Sequence, residues 1–170
     1  AFGFYSSFGV PRPKPITPDK GPKGFKYPVN DNYKFHLDLG PLKNVKAKYF
    51  GDSIKFWNDL MAHSNYDQFW KDRNIRPHLT NIKPATMVVG GFFDAEDTFG
   101  ALATYKAIEE QNPKSKNMLV MGPWFHGGWA RGTGAKFGDI NFGQPTSTWY
   151  QQNVEFPFFQ NLLKDKPSAN

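Results

Sequence analysis

Two short, almost entirely apolar runs constrain the fold of this chain more than any other feature. They are ATMVVG at residues 85–90 and NMLVMG at residues 117–122. Each run is too short for a buried helix and is typical of a strand that is buried on both faces. Between them, residues 96–112 carry apolar side chains at helical spacing and end at Asn112-Pro113. A strand, a helix and a strand in succession predict a right-handed βαβ crossover with two parallel strands.

The sequence before this unit has a different character. Residues 8–30 contain six prolines, which are excluded from helix interiors and central strands, so an extended and irregular arm is predicted there. Two short helices are predicted at residues 51–64 and 65–74, with Ser53 as a candidate N-cap for the first.

These patterns divide the chain into two parts. Residues 1–80 are predicted to be a helical and irregular segment that is rich in proline and aromatic residues. Residues 81–170 are predicted to be an α/β segment, in which residues 146–166 form a Ser/Thr-capped final helix that is interrupted at Pro157. A glycine-containing stretch at residues 132–138 follows no strand and is predicted to be a flexible loop.

Composition narrows the class of protein. Aromatic residues make up 17% of the chain, so rings must supply much of the buried area. The net charge is +6, but the basic residues are scattered and no nucleic-acid-binding module accompanies them, so we predict no nucleic-acid partner. No apolar run approaches the ~18 residues of a membrane span, and no membrane partner is predicted. The absence of cysteine excludes disulfides and thiolate metal sites, and neither a metal nor a cofactor is predicted.

Both predicted strands end in residues that could carry out chemistry. Asp94 follows the first strand in GGFFDAED, and His126 follows the second in GPWFHGGW. The carboxyl ends of neighbouring parallel strands lie ~5 Å apart, and ligands bind beyond such ends. Asp94 could therefore accept a hydrogen bond from one imidazole nitrogen and leave the other nitrogen as a base. The order Asp then His matches the last two members of the Ser-Asp-His order in α/β-hydrolases.

A nucleophile cannot be recognised in the sequence. No serine lies in a G-x-S-x-G elbow after a strand. Gly51-Asp52-Ser53 resembles the start of another esterase class, but no Asp lies three residues before any histidine, as that class requires. The start at Ala1, without an initiator Met, suggests that the chain is a fragment of a longer protein.

Residues 76–131 resemble the Asp-to-His segment of the CocE/NonD family of serine hydrolases. The motifs that carry the resemblance are Gly-aromatic-aromatic-Asp, then D-x-E-D, then G-P-W-x-H. The family contains α-amino acid ester hydrolases, glutaryl-cephalosporin acylases, cocaine esterase and X-Pro dipeptidyl-peptidases. The resemblance implies that residues 81–170 are the C-terminal half of an α/β-hydrolase domain and that residues 1–80 belong to its helical cap.

The resemblance also implies roles for individual residues. Asp94 would be the acid and His126 the base of a catalytic triad. Glu96 and Asp97 match the carboxylates with which α-amino acid ester hydrolases hold the ammonium group of a substrate. Phe93 is a candidate for the acyl pocket, although aromatic residues in such positions commonly pack as core.

Further parts of the family's active site would lie outside this sequence. The resemblance places the nucleophilic serine, a third carboxylate and half of the oxyanion hole N-terminal of Ala1. A jelly-roll domain would follow Asn170. Phe92 stands where the family commonly has Trp, which leaves the shape of the acyl pocket open.

Simpler interpretations remain for the acidic residues. Asp94 could be a turn residue that caps backbone amides. Asp97 could cap the helix that begins at Thr98, and Glu96 could simply complement the helix dipole. The spacing of the three carboxylates does not match a calcium-binding EF-hand loop.

The predicted function is that of part of a serine acyl hydrolase that cleaves ester or amide bonds. Its substrate would be a small-molecule or short-peptide acyl compound, with α-amino-acyl and β-lactam-type compounds as candidates. The chain would supply the Asp and the His but not the Ser, and would be inactive alone. The alternatives are a noncatalytic binding domain with an aromatic-rich surface, and a degenerate, inactive family member.

The sequence also leads to expectations about oligomeric state, partners and cellular location. Half of a sheet exposes an unpaired edge, so the isolated chain is predicted to be a homo-oligomer or to derive from a larger protein by proteolysis. The missing N-terminal part of the catalytic domain is a second predicted partner. The family resemblance alone suggests a secreted or periplasmic location.

Overall fold

The computed structural model describes residues 2–17, 19, 21 and 24–164, and the chain forms two compact units. The first unit is Ala1–Arg73 and the second is Asn74–Asn170. The described residues of the proline-rich arm after Phe8 form no α-helix and no β-strand. The remainder of that arm, and the end of the predicted final helix beyond residue 164, lie outside the described residues.

The first unit is built from short helices. They are α1 (Phe2–Phe8), α2 (Asn32–Leu39), a π-helical turn (Lys46–Phe50), α3 (Lys55–Ala62) and α4 (Gln68–Lys71). Their core is mainly aromatic: the ring of Phe2 lies 5.1 Å from that of Phe35 and 5.7 Å from that of Trp57, measured between ring centroids. Each such pair contributes ~0.5–1.5 kcal/mol beyond the area that it buries. Aromatic side chains therefore supply the core of this unit, as the composition predicts.

The N-cap predicted for the first of the two helices at 51–74 is wrong. Helix α3 begins at Lys55, and Ile54, not Ser53, occupies the capping position. The Ser53 hydroxyl instead donates a hydrogen bond to the carbonyl oxygen of Phe50 at 2.6 Å, which closes the preceding turn. Ile54 is buried in the aromatic core, so packing and not side-chain capping fixes the start of this helix.

The second unit contains the predicted βαβ crossover. Its elements are a 3-10 turn (Arg76–His78), β1 (Thr86–Gly91), α5 (Thr98–Gln111), β2 (Asn117–Gly122), the hairpin strands β3 (Lys136–Phe137) and β4 (Ile140–Asn141), α6 (Thr146–Tyr150), a π-helical turn (Gln151–Glu155) and α7 (Phe156–Leu163). Strands β1 and β2 are parallel, in register from Thr86 opposite Asn117 to Gly91 opposite Gly122. The prediction of an α/β fold with a helical crossover is confirmed.

The first unit ends at Arg73, whereas the sequence predicts a boundary after residue 80. The 3-10 turn belongs to the second unit because the end of α5 holds it. The Gln111 side chain donates to the carbonyl oxygen of Arg76 at 2.8 Å, and the Asn112 side chain donates to that of Leu79 at 2.7 Å. Asn112 also accepts a hydrogen bond from the backbone N–H of Ile82 at 2.8 Å. These contacts link residues far apart in sequence, which composition cannot reveal.

Strands β1 and β2 are less buried than their apolar runs predict. The first four residues of β1 are half-buried, and only Gly90 and Gly91 are fully buried. In the part of the chain that the structure describes, β1 and β2 form a two-stranded sheet, so each has an outer edge without a neighbouring strand. An apolar run predicts the strand, but how much of it is covered depends on its neighbours.

The exits of the two strands are joined by backbone hydrogen bonds. The N–H of Phe92 donates to the carbonyl oxygen of Gly122 at 2.9 Å, and the N–H of Phe93 donates to that of Trp124 at 3.1 Å. A β-carbon at position 91 would collide with the same Trp124 carbonyl group, so glycine is required at Gly91 for this approach. The segments that follow β1 and β2 are therefore held side by side.

The last third of the second unit departs from the sequence prediction in two places. Part of the stretch predicted to be a flexible loop is β3, which pairs with β4 in an antiparallel hairpin. The final helix begins at Thr146 as predicted, but Pro145 occupies its capping position and no side chain caps it. A π-helical turn interrupts this helix before Pro157, which lies in the first turn of α7, where a missing N–H costs little.

None of the described helices is long and apolar enough to cross a membrane.

Candidate active site

Asp94 occupies the turn between β1 and α5 and uses both carboxylate oxygens. Its Oδ1 accepts hydrogen bonds from the backbone N–H groups of Glu96 at 2.8 Å and Asp97 at 3.1 Å. Its Oδ2 lies 2.9 Å from Nδ1 of His126. The carboxylate is almost completely buried, with 3% of the side chain exposed. The turn-capping interpretation and the imidazole-partner interpretation of Asp94 are therefore both correct, each for one oxygen.

His126 reaches Asp94 from the segment that follows β2. Because a carboxylate can only accept, the proton in this hydrogen bond is on Nδ1 of the imidazole. In the neutral ring this leaves Nε2 unprotonated and able to act as a base. The His126 side chain is 56% exposed, and no hydrogen bond to Nε2 is formed within the described residues. The buried carboxylate thus fixes the tautomer of an imidazole whose other nitrogen faces solvent.

Electrostatics favour the ionised form of each member of this pair. Burial opposes ionisation of Asp94, but the backbone N–H of Glu96, the His126 imidazole and the N–H of Asp97 outweigh it, so the pKa of Asp94 lies below its ordinary value. The hydrogen bond and the negative charge of Asp94 raise the pKa of His126 above its ordinary value, aided by Glu96 and opposed by partial burial and by Arg131.

These shifts have opposite consequences for stability. Because the pKa of folded His126 is raised, its contribution to stability is complete below the unfolded value of ~6.5 and is lost as the pH rises through the folded pKa. Because the pKa of folded Asp94 is lowered, its contribution is present above ~3.9 and is lost as the pH falls through the folded pKa. The pair is therefore most stable between these two limits.

Glu96 and Asp97 lie two and three residues after Asp94, and their side chains are exposed. Asp97 occupies the N-cap position of α5, but its side chain makes no capping hydrogen bond. Its carboxylate instead lies against Gly100, where a β-carbon would collide with it. Asp97 therefore lies at the N-cap position that the simpler interpretation gives it, but its side chain does not cap the helix. Among the described residues, neither carboxylate forms an ion pair, which leaves two negative charges close to the Asp94–His126 pair.

Phe93 is part of an aromatic row beside this pair. Its ring stacks on that of Phe137 at 4.7 Å and lies 6.1 Å from that of Phe142. Phe137 also lies 6.3 Å from Phe125, the residue before His126. The Phe93 side chain remains 37% exposed, so one part of the ring is available to a ligand. The role of Phe93 in an acyl pocket remains a prediction.

The residues that support Asp94, His126 and Phe93 leave no recognisable pattern in the sequence. Phe137 comes from the hairpin predicted to be a loop, and no local pattern marks it. The Arg131 side chain donates a hydrogen bond to the carbonyl oxygen of His126. A single basic residue in a glycine-rich stretch gives no indication of this contact.

No cluster of three or more His, Cys, Asp or Glu side chains suited to a metal ion occurs among the residues that the structure describes.

The fold and this geometry define a class of protein: an α/β protein of the hydrolase type that places an acid and a histidine at adjacent strand exits. The sequence model of the X-Pro dipeptidyl-peptidase (S15) family matches residues 27–128, which is more than half of the chain. The chain therefore belongs to the X-Pro dipeptidyl-peptidase (S15) family. The resemblance to the CocE/NonD family that the motifs indicate is confirmed.

Two solved structures are similar over most of this chain. The crystal structure of an aminopeptidase from the marine sediment archaeon Thaumarchaeota archaeon is 31% identical, with a TM-score of 0.79 over 88% of this chain and 25% of that one. A selenomethionine-labelled α-amino acid ester hydrolase is 27% identical, with a TM-score of 0.82 over 99% of this chain and 27% of that one. The chain thus spans about a quarter of either enzyme. No curated protein sequence matches the chain.

The pairing of Asp94 with His126 can be measured by titration. We expect NMR titration of the histidine Cε1–H signals to give His126 a pKa above its ordinary value of 6.5, because Asp94 stabilises the imidazolium. In Asp94→Asn the pKa should fall to that value or below, since Arg131 then acts without the opposing charge. The matched control is Asp139→Asn, which removes the same charge from an exposed site in the hairpin. An equal pKa of His126 in the wild type and in Asp94→Asn would show that the pair is not coupled.

Proposed function

We propose that the chain supplies the acid and the base of a Ser-His-Asp triad in an acyl hydrolase. The observation that carries this proposal is the 2.9 Å contact between His126 Nδ1 and Asp94 Oδ2, across the exits of two adjacent parallel strands. Membership of the X-Pro dipeptidyl-peptidase (S15) family supports the same reaction class, and both similar structures are hydrolases.

In this reaction His126 acts first as a base and then as an acid. Nε2 takes the proton of a serine hydroxyl while the serine oxygen attacks the carbonyl carbon of an ester or amide. The imidazolium then donates that proton to the leaving alcohol or amine, and an acyl-enzyme remains. Water attacks the acyl carbon with His126 again as base, which releases the acid and restores the serine. Asp94 keeps its negative charge throughout, holds the ring and stabilises the imidazolium.

The nucleophile in this proposal comes from polypeptide beyond these 170 residues. No hydroxyl of a described serine forms a hydrogen bond with His126. The Ser53 hydroxyl donates to Phe50, and the Ser147 hydroxyl is buried and donates to Gly128. Ser168 lies outside the described residues. Since the chain spans about a quarter of the two similar enzymes, a serine elsewhere in a longer protein is consistent with the comparison.

Glu96 and Asp97 are proposed to select the substrate. Their carboxylates are exposed, lie within three residues of Asp94 in sequence and make no ion pair within the described chain. Charge-assisted hydrogen bonds from an ammonium group to such carboxylates are about twice as strong as neutral ones. Substrates with a free α-amino group near the scissile bond, such as α-amino-acyl esters or short peptides, fit this arrangement.

The proposed function also requires further polypeptide next to the two-stranded sheet. The outer edges of β1 and β2, which have no neighbouring strand within the described residues, would be covered by the polypeptide that supplies the serine. Self-association of the isolated chain is the alternative way to cover these edges. A secreted or periplasmic location remains a prediction from the family resemblance.

Labelling with a fluorophosphonate tests the triad directly. We expect the full-length enzyme to be labelled and the 170-residue chain to remain unlabelled, because the probe reacts with an activated serine. In the full-length enzyme, His126→Ala should lower the labelling rate by ~1,000-fold or more, since removing the base of a triad abolishes most of its rate enhancement. The matched control is His78→Ala, an exposed histidine of the same unit.

The other outcomes separate the alternatives. Labelling of the 170-residue chain that depends on His126 would contradict the proposal of an external nucleophile. A full-length protein that folds, contains the Asp94–His126 pair and is never labelled would favour a noncatalytic binding domain or an inactive family member.

Removal of the two negative charges tests the substrate class. We expect Glu96→Gln and Asp97→Asn in the full-length enzyme each to raise KM for an α-amino-acyl ester by about 10-fold or more, because a charge-assisted hydrogen bond contributes ~1.5–3 kcal/mol. KM for the corresponding ester without the amino group should remain unchanged. Glu110→Gln, on the exposed face of α5, is the matched control. Equal effects on both esters would show that the carboxylates do not bind the ammonium group.

A further inference from the structure

The loop that carries His126 is held by one side chain at its own C-terminal end and by two side chains from the helical segment that follows. We define residues 125–131 as the histidine loop. Within it, four successive carbonyl oxygens, those of residues 126–129, each accept a hydrogen bond from a side chain. The donors belong to three residues: Arg131, Ser147 and Gln151. We propose that these three are positioning residues, which hold the histidine loop so that His126 stays in reach of Asp94; this inference rests on the proposed function.

Arg131 folds back over the histidine loop. Its Nη2 donates to the carbonyl oxygen of His126, and its Nε donates to that of Gly127 at 3.3 Å. The guanidinium carbon lies 5.6 Å from the centre of the Phe125 ring, within the range of a cation–π contact. Gly127 has a φ of 71°, and a β-carbon there would collide with the guanidinium group. The glycine and the arginine therefore depend on each other to shape the backbone at His126.

Ser147 reaches the histidine loop from α6. Its side chain is completely buried, and its hydroxyl donates to the carbonyl oxygen of Gly128 at 3.0 Å. A serine within a helix commonly bonds to its own preceding turn. Here the hydroxyl satisfies a carbonyl group 19 residues away in sequence, so removing it would leave that buried acceptor with one donor fewer.

Gln151 completes the contact at the start of the π-helical turn. Its Nε2 donates to the carbonyl oxygen of Trp129 at 2.7 Å. A π-helical turn changes the direction in which successive side chains point, and such turns are frequent at functional sites. The same helical segment also contacts the residue that precedes the histidine loop, because Nε1 of Trp124 donates to the Thr146 hydroxyl at 3.0 Å. The histidine loop is thus held on both sides by residues 146–151.

The consequence for catalysis follows from the exposure of the imidazole. More than half of the His126 side chain is in solvent, so neighbouring side chains cannot fix its position by packing. Its position is set by the single hydrogen bond to Asp94 and by the backbone of the histidine loop. A displacement of ~1 Å in such a group can cost ~100-fold in rate. Arg131, Ser147 and Gln151 therefore act on the reaction through His126, without touching the substrate.

The test compares two neighbouring glutamines. Gln151→Met keeps the length of the side chain and removes the donor to Trp129, whereas Gln152→Met is the same change at an exposed position with no such contact. In the full-length enzyme we expect Gln151→Met to lower kcat about 10-fold with KM unchanged, and Gln152→Met to leave both constants unchanged. Ser147→Ala should behave as Gln151→Met does.

A second readout does not require activity. In the 170-residue chain, NMR titration should show the His126 pKa moving towards its ordinary value in Gln151→Met and in Ser147→Ala, but not in Gln152→Met. The charged groups that act on His126 are Asp94, Glu96 and Arg131, and all three are retained in these variants. A purely structural role would lower the midpoint of unfolding and leave this pKa unchanged below the unfolding transition.

Arg131 provides the conservative comparison. Arg131→Lys keeps the charge and one donor, and should retain more of kcat than Arg131→Met. The positioning role is overturned if wild-type His126 is coupled to Asp94 but Gln151→Met and Ser147→Ala change neither its pKa nor kcat; the proposed function would then stand. If wild-type His126 titrates independently of Asp94, the proposed function fails first.

Discussion

The hydrogen bond between His126 and Asp94 depends on how closely the exits of β1 and β2 approach each other. The register of the two parallel strands ends with Gly91 opposite Gly122. The segments that follow β1 and β2 therefore leave the sheet at neighbouring positions. The absence of a side chain at Gly91 lets the carbonyl group of Trp124 lie against the backbone, where it accepts the N–H of Phe93. Backbone contacts between the two segments thus place Asp94 and His126 side by side, and the side-chain hydrogen bond adds to these contacts.

Much of this arrangement could be predicted from local sequence. The apolar runs and the helical spacing between them identify β1, α5 and β2, because burial in a parallel sheet leaves a local pattern. The order of Asp94 and His126 at successive strand exits then predicts their contact, because topology brings such exits together. What local sequence could not supply depends on distant partners. The hairpin at 136–141, the contacts of Asn112 with residues 79–82 and the ring of Phe137 beside Phe93 are all set by tertiary structure.

The carboxylate of Asp94 has a structural contact and a contact with the proposed catalytic base at the same time. Asp94 satisfies the N–H groups at the start of the turn with one oxygen and holds the imidazole with the other. The side chains of Glu96 and Asp97 are exposed and form no ion pair in the described chain. In the proposed mechanism, a single buried carboxylate organises the turn, fixes the base and leaves its neighbours available for substrate.

The tautomer of neutral His126 tests the central claim most directly. Long-range ¹H–¹⁵N NMR spectra of the chain, recorded above the pKa of His126, distinguish a proton on Nδ1 from one on Nε2. If Asp94 holds the ring by the hydrogen bond to Nδ1, the proton is on Nδ1 and Nε2 is free to act as a base. A proton on Nε2 of neutral His126 would mean that the ring does not donate to Asp94, and would contradict the proposed arrangement of the acid and the base.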